Sequence, residues 1–209
     1  MKVRTLVLRA AGTNCDEETA YAFGKAGAEA ELVHINELVR KEKDLSGYHI
    51  LVIPGGFTYG DDISAGRILA NELKYKLTDQ LLRFIEEGKL ILGICNGFQV
   101  LVKAGLLPAL KGHGKAQEAT LGWNDSGRFE DRWVYLKVEP GNRCAFTKGL
   151  EGVLYMPVAH AEGKFIAPQE VITSIEENAQ VVLRYVDPSG NLAGYPWNPN
   201  GSLGNIAGI

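Results

Sequence analysis

A cysteine stands between an apolar run and a glycine in residues 90–101, LILGICNGFQVL. Glycines lie two residues before and two residues after Cys95, which gives the pattern G-x-C-x-G. This pattern follows the logic of the serine nucleophile elbow, in which small residues flank a nucleophile on a tight strand-to-helix turn. The helix predicted after Cys95 would direct its amides toward the sulfur and favour the thiolate. The sequence therefore predicts a reactive thiol, the alternative being a buried structural cysteine.

A second glycine-rich turn, PGGF at residues 54–57, follows another predicted strand. A nucleophile in acyl transfer needs backbone amides that stabilise the oxyanion of the tetrahedral intermediate. The amide of Gly56 and that of Asn96, directly after the nucleophile, make a reasonable pair. The alternative is that PGGF is an ordinary tight turn.

Cysteine amidase chemistry also needs a histidine that moves protons and a carboxylate that orients it. His160 and Glu162 are the one pair with His-x-Glu spacing. From the residues alone, they are the natural base and orienting group. His34 and His49 lie beside or within predicted apolar strands, where a structural role is expected, and His113 lies in a glycine-flanked loop.

Spacing gives no support for a metal site. Asp61 and Asp62 are adjacent, but no third carboxylate or histidine is close in sequence, so we expect them to cap the next helix. Cys15, Cys95 and Cys144 lack the paired spacing of zinc ligands and are odd in number. We therefore predict no metal and a reduced, cytoplasmic protein.

The reactive residues follow strands that alternate with helices. Strands are predicted at 3–8, 30–35, 48–53 and 90–94. Helices are predicted from Asn14 or Asp16 to a stop at Gly27, at 78–87 and directly after Cys95. This alternation is typical of parallel βαβ units, whose ligand sites lie at the carboxyl ends of strands. Both PGGF and the cysteine motif occupy such ends.

The pattern changes after Trp123. Strands are predicted at 132–140, 153–156 and 180–186, with turn residues between them and little helical periodicity. We interpret them as a mixed-sheet extension of the same domain. The predicted fold is thus α/β and flavodoxin-like, with a mixed, mostly parallel sheet, helices on both faces and a single domain over residues 1–209.

Composition narrows the possible partners. The 209 residues carry a net charge of −3, with 45% hydrophobic and 22% charged residues, which is ordinary globular composition. There is no basic surplus for nucleic acid, and the three tryptophans are too scattered for base stacking. No apolar run approaches the roughly 18–20 residues that span a bilayer. We predict neither nucleic-acid nor membrane binding.

Several motifs in a fixed order carry a resemblance to a known family. They are GTNCDEET at 12–19, PGGFTYGDD at 54–62, DDISAGRILA at 61–70, GICNGFQVL at 93–101, MPVAHAEGKF at 156–165 and YPWNPNGSLGNIAGI at 195–209. Together they resemble the class I glutamine amidotransferases and, within them, the glutaminase subunits of phosphoribosylformylglycinamidine synthase in purine biosynthesis. The resemblance covers essentially the whole chain.

The resemblance implies glutamine hydrolysis through a glutamyl thioester on Cys95. The ammonia would pass to a separate large synthetase subunit, which uses ATP and Mg²⁺ to make formylglycinamidine ribonucleotide, with a small bridging subunit as a possible third component. No cofactor is expected in this chain. The expected glutamine contacts are Gln99, His160, Asn200, Gly201 and Ser202.

The resemblance also implies a different base. In these amidotransferases the catalytic histidine and glutamate come from a Pro-His-Pro-Glu motif shortly after the segment that matches NPNGSLGNIAGI. We therefore expect this pair to lie in a C-terminal segment beyond Ile209, with His160 and Glu162 as the fallback pair. Two other functions stay open: an inactive amidotransferase-like binding or regulatory module, and a stand-alone cysteine hydrolase of the same superfamily.

Overall fold

The computed structural model describes residues 2–209, which divide into two compact units. The first unit comprises the chain up to Leu106 together with His113–Ala116, and the second comprises Leu107–Gly112 and Gln117–Ile209. Within residues 2–209, no helix is long and apolar enough to cross a membrane. The single domain over residues 1–209 stays a prediction.

The first unit contains a parallel sheet of four strands in the order β2-β1-β3-β4. The strands are β1 (Arg4–Arg9), β2 (Glu29–His34), β3 (Ile50–Ile53) and β4 (Leu90–Gly93). Consecutive residues of β1 and β3, such as Leu6, Val7, Leu51 and Val52, are all at most 1% exposed. Burial on both faces explains why these strands are continuous apolar runs rather than alternating ones. The predicted α/β class is confirmed.

Among the described residues of the first unit there are five α-helices: α1 (Asp16–Lys25), α2 (Ile35–Val39), α3 (Arg67–Lys76), α4 (Thr78–Glu86) and α5 (Asn96–Lys103). Three of them were predicted with their bounds, α3 was expected only as the helix that follows Asp61 and Asp62, and α2 was not predicted. Helix α2 begins at a capping box in which the His34 side chain accepts from Asn36 N and the Glu37 side chain accepts from His34 N. His34 therefore has the structural role expected of a histidine at a strand end.

Helix α5 approaches the sheet so closely that glycine is required at the contact. A Cβ on Gly97 would lie 1.9 Å from the carbonyl oxygen of Ile53, and one on Gly93 would lie 2.6 Å from Gly97 O. No side chain fits at such distances. The glycines on either side of Cys95 therefore let the helix begin directly against the neighbouring strands.

The second unit is built from antiparallel strands and one helix. Its elements are β5 (Thr120–Gly122), β6 (Glu130–Val138), β7 (Val153–His160), β8 (Lys164–Ile166), α6 (Gln169–Glu177), β9 (Leu183–Val186) and β10 (Ile206–Gly208). Strands β10-β9-β6-β7 form one sheet in that order, and β5 pairs with β8.

Two predictions for this region were wrong. The strands after Trp123 do not extend the parallel sheet, because their hydrogen-bonded neighbours all come from the second unit and run antiparallel. Helix α6 was also missed, although Val171, Ile172 and Ile175 are buried at helical spacing.

The close approach of α5 yields a stability prediction. We expect Gly97→Ala to lower the free energy of unfolding by about 1–3 kcal/mol, because the new methyl group overlaps Ile53 O and forces the helix away from the sheet. The matched control is Gly24→Ala in α1, where a Cβ meets nothing within 4 Å. That change should stabilise the protein by about 0.5–1 kcal/mol. Urea unfolding midpoints measure both, and equal midpoints for the two variants would contradict the prediction.

Candidate active site

Cys95 lies on a strained turn between β4 and α5. It is the N-cap residue of α5, with φ 53° and ψ −109°. A positive φ is costly for a residue with a Cβ and persists only where the surrounding structure enforces it. The residue is exposed. The sharp strand-to-helix turn predicted from G-x-C-x-G is present, and it presents the sulfur at the carboxyl end of β4.

Two backbone amides converge on the Cys95 sulfur. The N–H groups of Gly56 and Asn96 both donate to it. Gly56 has φ 137°, and a Cβ there would lie 2.6 Å from Asn14 N, so glycine is required at this position. An oxyanion formed beside the sulfur could accept from the same two amides. The structure places the predicted pair beside Cys95, and their catalytic role stays a prediction.

The pKa of the Cys95 thiol is raised above its ordinary value. Burial of the sulfur among protein atoms is the largest cause, and the negative charges of Cys15 and Asp61 add to it. The amides of Asn96 and Gly56 lower the pKa but do not outweigh burial. The amide at the helix start does favour the thiolate, as expected, but burial has the larger effect. A thiol whose pKa is raised needs a base to form the nucleophilic thiolate.

A buried network of polar side chains fixes Asn96, the residue after the nucleophile. Asn96 is 1% exposed. Its Oδ1 accepts from Thr58 Oγ1 at 2.5 Å and Thr58 N at 3.3 Å. Its Nδ2 donates to Asp61 Oδ1 and to Gln99 Oε1, each at 3.0 Å. These bonds hold the start of α5, and with it the amide that faces the sulfur.

Asp61 joins this network from a turn with unusual backbone geometry. Its own φ is 54°, and its Oδ1 also accepts from Gly66 N, at the N-cap of α3, at 3.3 Å. The expected contact with the start of the next helix is thus present for Asp61, which bonds Asn96 as well. Among residues 2–209, no group of three or more His, Cys, Asp and Glu side chains is arranged to hold a metal.

His160 ends β7 in the second unit and is held by two amide side chains. Its Nδ1 lies 3.1 Å from Asn124 Oδ1, and its Nε2 lies 3.4 Å from Asn200 Nδ2. Since an amide oxygen only accepts, Nδ1 carries the hydrogen and Nε2 accepts. Burial lowers the pKa of His160, and the charge of Glu130 on the neighbouring strand opposes this only partly. His160 is a neutral imidazole whose two nitrogens are both engaged.

The predicted glutamine contacts in the second unit form part of its interior. Asn200 and Ser202 are at most 3% exposed. Asn200 Nδ2 donates to Gly163 O at 2.8 Å, and Ser202 Oγ donates to Asn200 Oδ1 at 2.7 Å. Gly201 has φ 77° at the turn between them. These side chains already bond protein groups, which favours a role in shaping the loop around His160.

The structure thus brings Gly56, Asn96 and Gln99 together at Cys95 in the first unit. In the second unit it brings His160, Asn200, Gly201 and Ser202 together, and Glu162 lies in the turn after β7. Sequence reasoning missed the contributions of Cys15, Thr58 and Asn124, and gave Asp61 only a capping role. The residues that Thr58, Asp61 and Asn124 contact lie 35 to 38 positions away in the sequence. No local spacing of residues therefore signals these contacts.

The chain matches a known protein family over all of its described residues. The family model described as the CobB/CobQ-like glutamine amidotransferase domain matches residues 2–209. The chain belongs to this family. Several named proteins are similar in sequence to this glutamine amidotransferase domain. It is 53% identical over 209 residues to "Phosphoribosylformylglycinamidine synthase subunit PurQ" of Dehalococcoides mccartyi, covering 100% of this chain and 79% of the relative.

Two further proteins are similar to this chain, one in sequence and one in structure. The amidotransferase domain is 47% identical to the protein of the same name from Archaeoglobus fulgidus, over 100% of this chain and 82% of the relative. Among solved structures it resembles a chain of "PurLQS from Thermotoga maritima", with a TM-score of 0.74 and 31% identity over 99% of this chain and 80% of that chain. The class I amidotransferase fold implied by the motifs is confirmed.

The charge of Asp61 yields a prediction about the thiol. In a background of Cys15→Ser and Cys144→Ser, where Cys95 is the one thiol, Asp61→Asn should shift the pH midpoint of iodoacetamide alkylation downward. The amide keeps an oxygen for Asn96 but removes a negative charge that raises the pKa of Cys95. Asp62→Asn in the same background is the control and should leave the midpoint unchanged. An unchanged or higher midpoint in Asp61→Asn would show that this carboxylate does not act on the sulfur.

The buried imidazole yields a prediction about acid stability. Because the pKa of His160 is lower in the folded chain than its ordinary value of 6.5, the unfolded chain binds the proton first as pH falls. His160 therefore opposes folding increasingly below about pH 6.5, by at most about 1.4 kcal/mol per pH unit. Urea unfolding at pH 7.5 and 5.5 should show a smaller loss of stability in His160→Gln than in the parent. An equal loss of stability in His160→Gln and in the parent would contradict the prediction.

Proposed function

We propose that this chain is the glutaminase subunit of a phosphoribosylformylglycinamidine synthase. It hydrolyses glutamine and supplies ammonia to a synthetase subunit that makes formylglycinamidine ribonucleotide in purine biosynthesis. The observation that carries the assignment of chemistry is the strained Cys95 turn with two backbone N–H groups directed at its sulfur. The named relatives at 53% and 47% identity support the choice of substrate and pathway.

In the proposed mechanism, the Cys95 sulfur attacks the side-chain amide carbon of glutamine. The carbonyl oxygen becomes an oxyanion that accepts from the amides of Gly56 and Asn96, which already face this point. Ammonia leaves with a proton from the base, and water then hydrolyses the glutamyl thioester to glutamate. Removal of one such N–H donor lowers kcat by about 10²–10³-fold in acyl-transfer enzymes. We propose that Gln99, which lies one turn of α5 after Cys95, is the glutamine contact in the first unit.

We assign the base and its orienting carboxylate to the Pro-His-Pro-Glu motif of the family rather than to His160 and Glu162. Two observations support this choice. The raised pKa of Cys95 requires a base, and both ring nitrogens of His160 are occupied by Asn124 and Asn200. We give His160 and its neighbours Asn200, Gly201 and Ser202 the task of shaping the loop.

The proposed function also implies particular partner subunits, cofactors and a cellular compartment. We propose that the chain docks on a large synthetase subunit, with a small bridging subunit in the same complex, as the name of the Thermotoga assembly suggests. ATP and Mg²⁺ would bind the synthetase, and this chain would need no cofactor. We place the complex in the cytoplasm, where the three cysteines remain reduced.

The test uses the reconstituted complex and two nitrogen sources. Cys95→Ala should lose glutamine-dependent formation of formylglycinamidine ribonucleotide by more than about 10³-fold while retaining the ammonia-dependent reaction. Cys144→Ala is the matched control and should retain both. A glutamine-mimetic diazoketone should label the peptide that contains Cys95. Retained glutamine-dependent activity in Cys95→Ala would exclude it as the nucleophile, and loss of both activities would point to failed assembly.

A further inference from the structure

A second cysteine lies beside the nucleophile, across a glycine. A Cβ placed on Gly55 would be 3.3 Å from Cys95 Cβ and 3.7 Å from Cys15 Sγ. These two distances are sides of one triangle, so Cys15 Sγ and Cys95 Cβ lie at most about 7 Å apart. Because Gly55 carries no side chain, nothing on that residue separates the two cysteines.

Strand order explains how residues 80 positions apart become neighbours. In the order β1-β3-β4, the loops after β1 and β4 flank the loop after β3. Cys15 follows β1, Gly55 follows β3 and Cys95 follows β4. Hydrogen bonds fix the first two loops together, from Cys15 N to Gly55 O at 3.3 Å and from Phe57 N to Asn14 Oδ1 at 3.3 Å. The neighbourhood of the thiols is thus a consequence of the fold.

The two thiols differ in their electrostatic surroundings. Burial and the charges of Glu18 and Asp16 raise the pKa of Cys15. Burial also raises that of Cys95, but two backbone amides donate to its sulfur and stabilise negative charge there. Both residues are exposed and no disulfide joins them. Of the two thiols, Cys95 is the one whose anion is stabilised by hydrogen bonds from backbone amides.

We propose that Cys15 is a resolving thiol that forms a disulfide with Cys95 after Cys95 reacts with a peroxide. The disulfide would be a reversible modification of the nucleophile. It would protect Cys95 from the irreversible sulfinic and sulfonic acids. Its effect on glutamine hydrolysis rests on the proposed function, whereas its formation does not.

The chemistry balances with hydrogen peroxide as the oxidant. The Cys95 thiol gives up its proton as its sulfur attacks one peroxide oxygen; an S–O bond forms, the O–O bond breaks, and the hydroxide that leaves takes up that proton as water, so that sulfur is oxidised to sulfenic acid. The Cys15 thiol then gives up its proton as its sulfur attacks the Cys95 sulfur; an S–S bond forms, and the hydroxyl group leaves with that proton as a second water. Two thiols are oxidised by two electrons and one peroxide becomes two waters. A dithiol reductant reverses the second step.

Closure needs only local movement. A disulfide requires a separation of about 4.4–6.8 Å between Cα atoms and about 2 Å between sulfurs. The separation of at most about 7 Å between Cys15 Sγ and Cys95 Cβ is within reach of side-chain rotation combined with a small backbone shift at Cys15. That shift would lengthen the hydrogen bond from Cys15 N to Gly55 O, which is 3.3 Å in the reduced chain.

Trypsin allows a direct measurement, because cleavage after lysine and arginine places each cysteine in its own peptide. Residues 10–25 contain Cys15, residues 90–103 contain Cys95 and residues 144–148 contain Cys144. The chain is treated with stoichiometric hydrogen peroxide without reductant, blocked with N-ethylmaleimide and digested under non-reducing conditions. Mass spectrometry should show peptides 10–25 and 90–103 linked with the loss of two hydrogens, and dithiothreitol should separate them.

Two variants decide the outcome. Cys144→Ser should form the same linked pair. Cys15→Ser should form none, and its Cys95 should be converted to sulfinic or sulfonic acid. Oxidised Cys95 in the parent with Cys15 fully alkylated, or a link that forms only between two chains on a denaturing gel, would overturn the proposal.

The readouts also separate this proposal from the proposed function. If the linked pair forms but Cys95→Ala keeps glutamine-dependent activity, the disulfide is supported and the role of Cys95 as nucleophile is contradicted. If Cys95→Ala loses that activity but no linked pair forms in the parent, the nucleophile is supported and the disulfide is contradicted. In the reconstituted complex, peroxide followed by dithiothreitol should restore glutamine-dependent activity in the parent and not in Cys15→Ser, while ammonia-dependent activity persists throughout.

Discussion

The close contact between α5 and the strand beside it is the constraint on which the arrangement around Cys95 depends. A Cβ on Gly97 would lie 1.9 Å from Ile53 O, so the helix can begin at this depth only with glycine there. Because the helix starts at once after β4, the chain must reverse at Cys95, which adopts a φ of 53°. That reversal directs the sulfur at two backbone amides. The strain at one residue is sustained by the packing that two glycines permit.

The polar network beside this turn combines two opposing effects. Asp61 bonds the side chain of Asn96 and so helps to hold the amide that faces the sulfur. Its charge also raises the pKa of Cys95. A hydrogen bond to a charged group is worth about 1.5–3 kcal/mol, and an unsatisfied buried amide costs about as much. Orientation of Asn96 therefore explains why a carboxylate lies near a thiol that must ionise. Because burial and Asp61 raise the pKa of the thiol more than the amides lower it, the base is a separate requirement.

Much of the first unit could be predicted from sequence because its signals are local. Buried parallel strands are apolar runs, and G-x-C-x-G marks the strand-to-helix turn. The observed and predicted bounds of the strands in the first unit differ by at most two residues, whereas those at the end of β7 differ by four. Helix α6 was missed because its nine residues lie among short antiparallel strands, although Glu170 in its first turn and three buried apolar residues at helical spacing were available as signals. The bounds of α3 were not predicted because its N-cap, Gly66, has no side chain that could mark where the helix begins.

His160 and Glu162 show where spacing fails. A separation of two residues places side chains on one face only while a strand continues. Strand β7 ends at His160, so Glu162 belongs to the turn that leads to β8 and the periodicity no longer applies. The ring is oriented instead by Asn124, which lies 36 residues away and also accepts from Gly163 N at 3.1 Å. One buried amide thus fixes both the histidine and the turn that follows it. Pairing across such distances is set by the register of strands and the path of turns, which only the tertiary structure reveals.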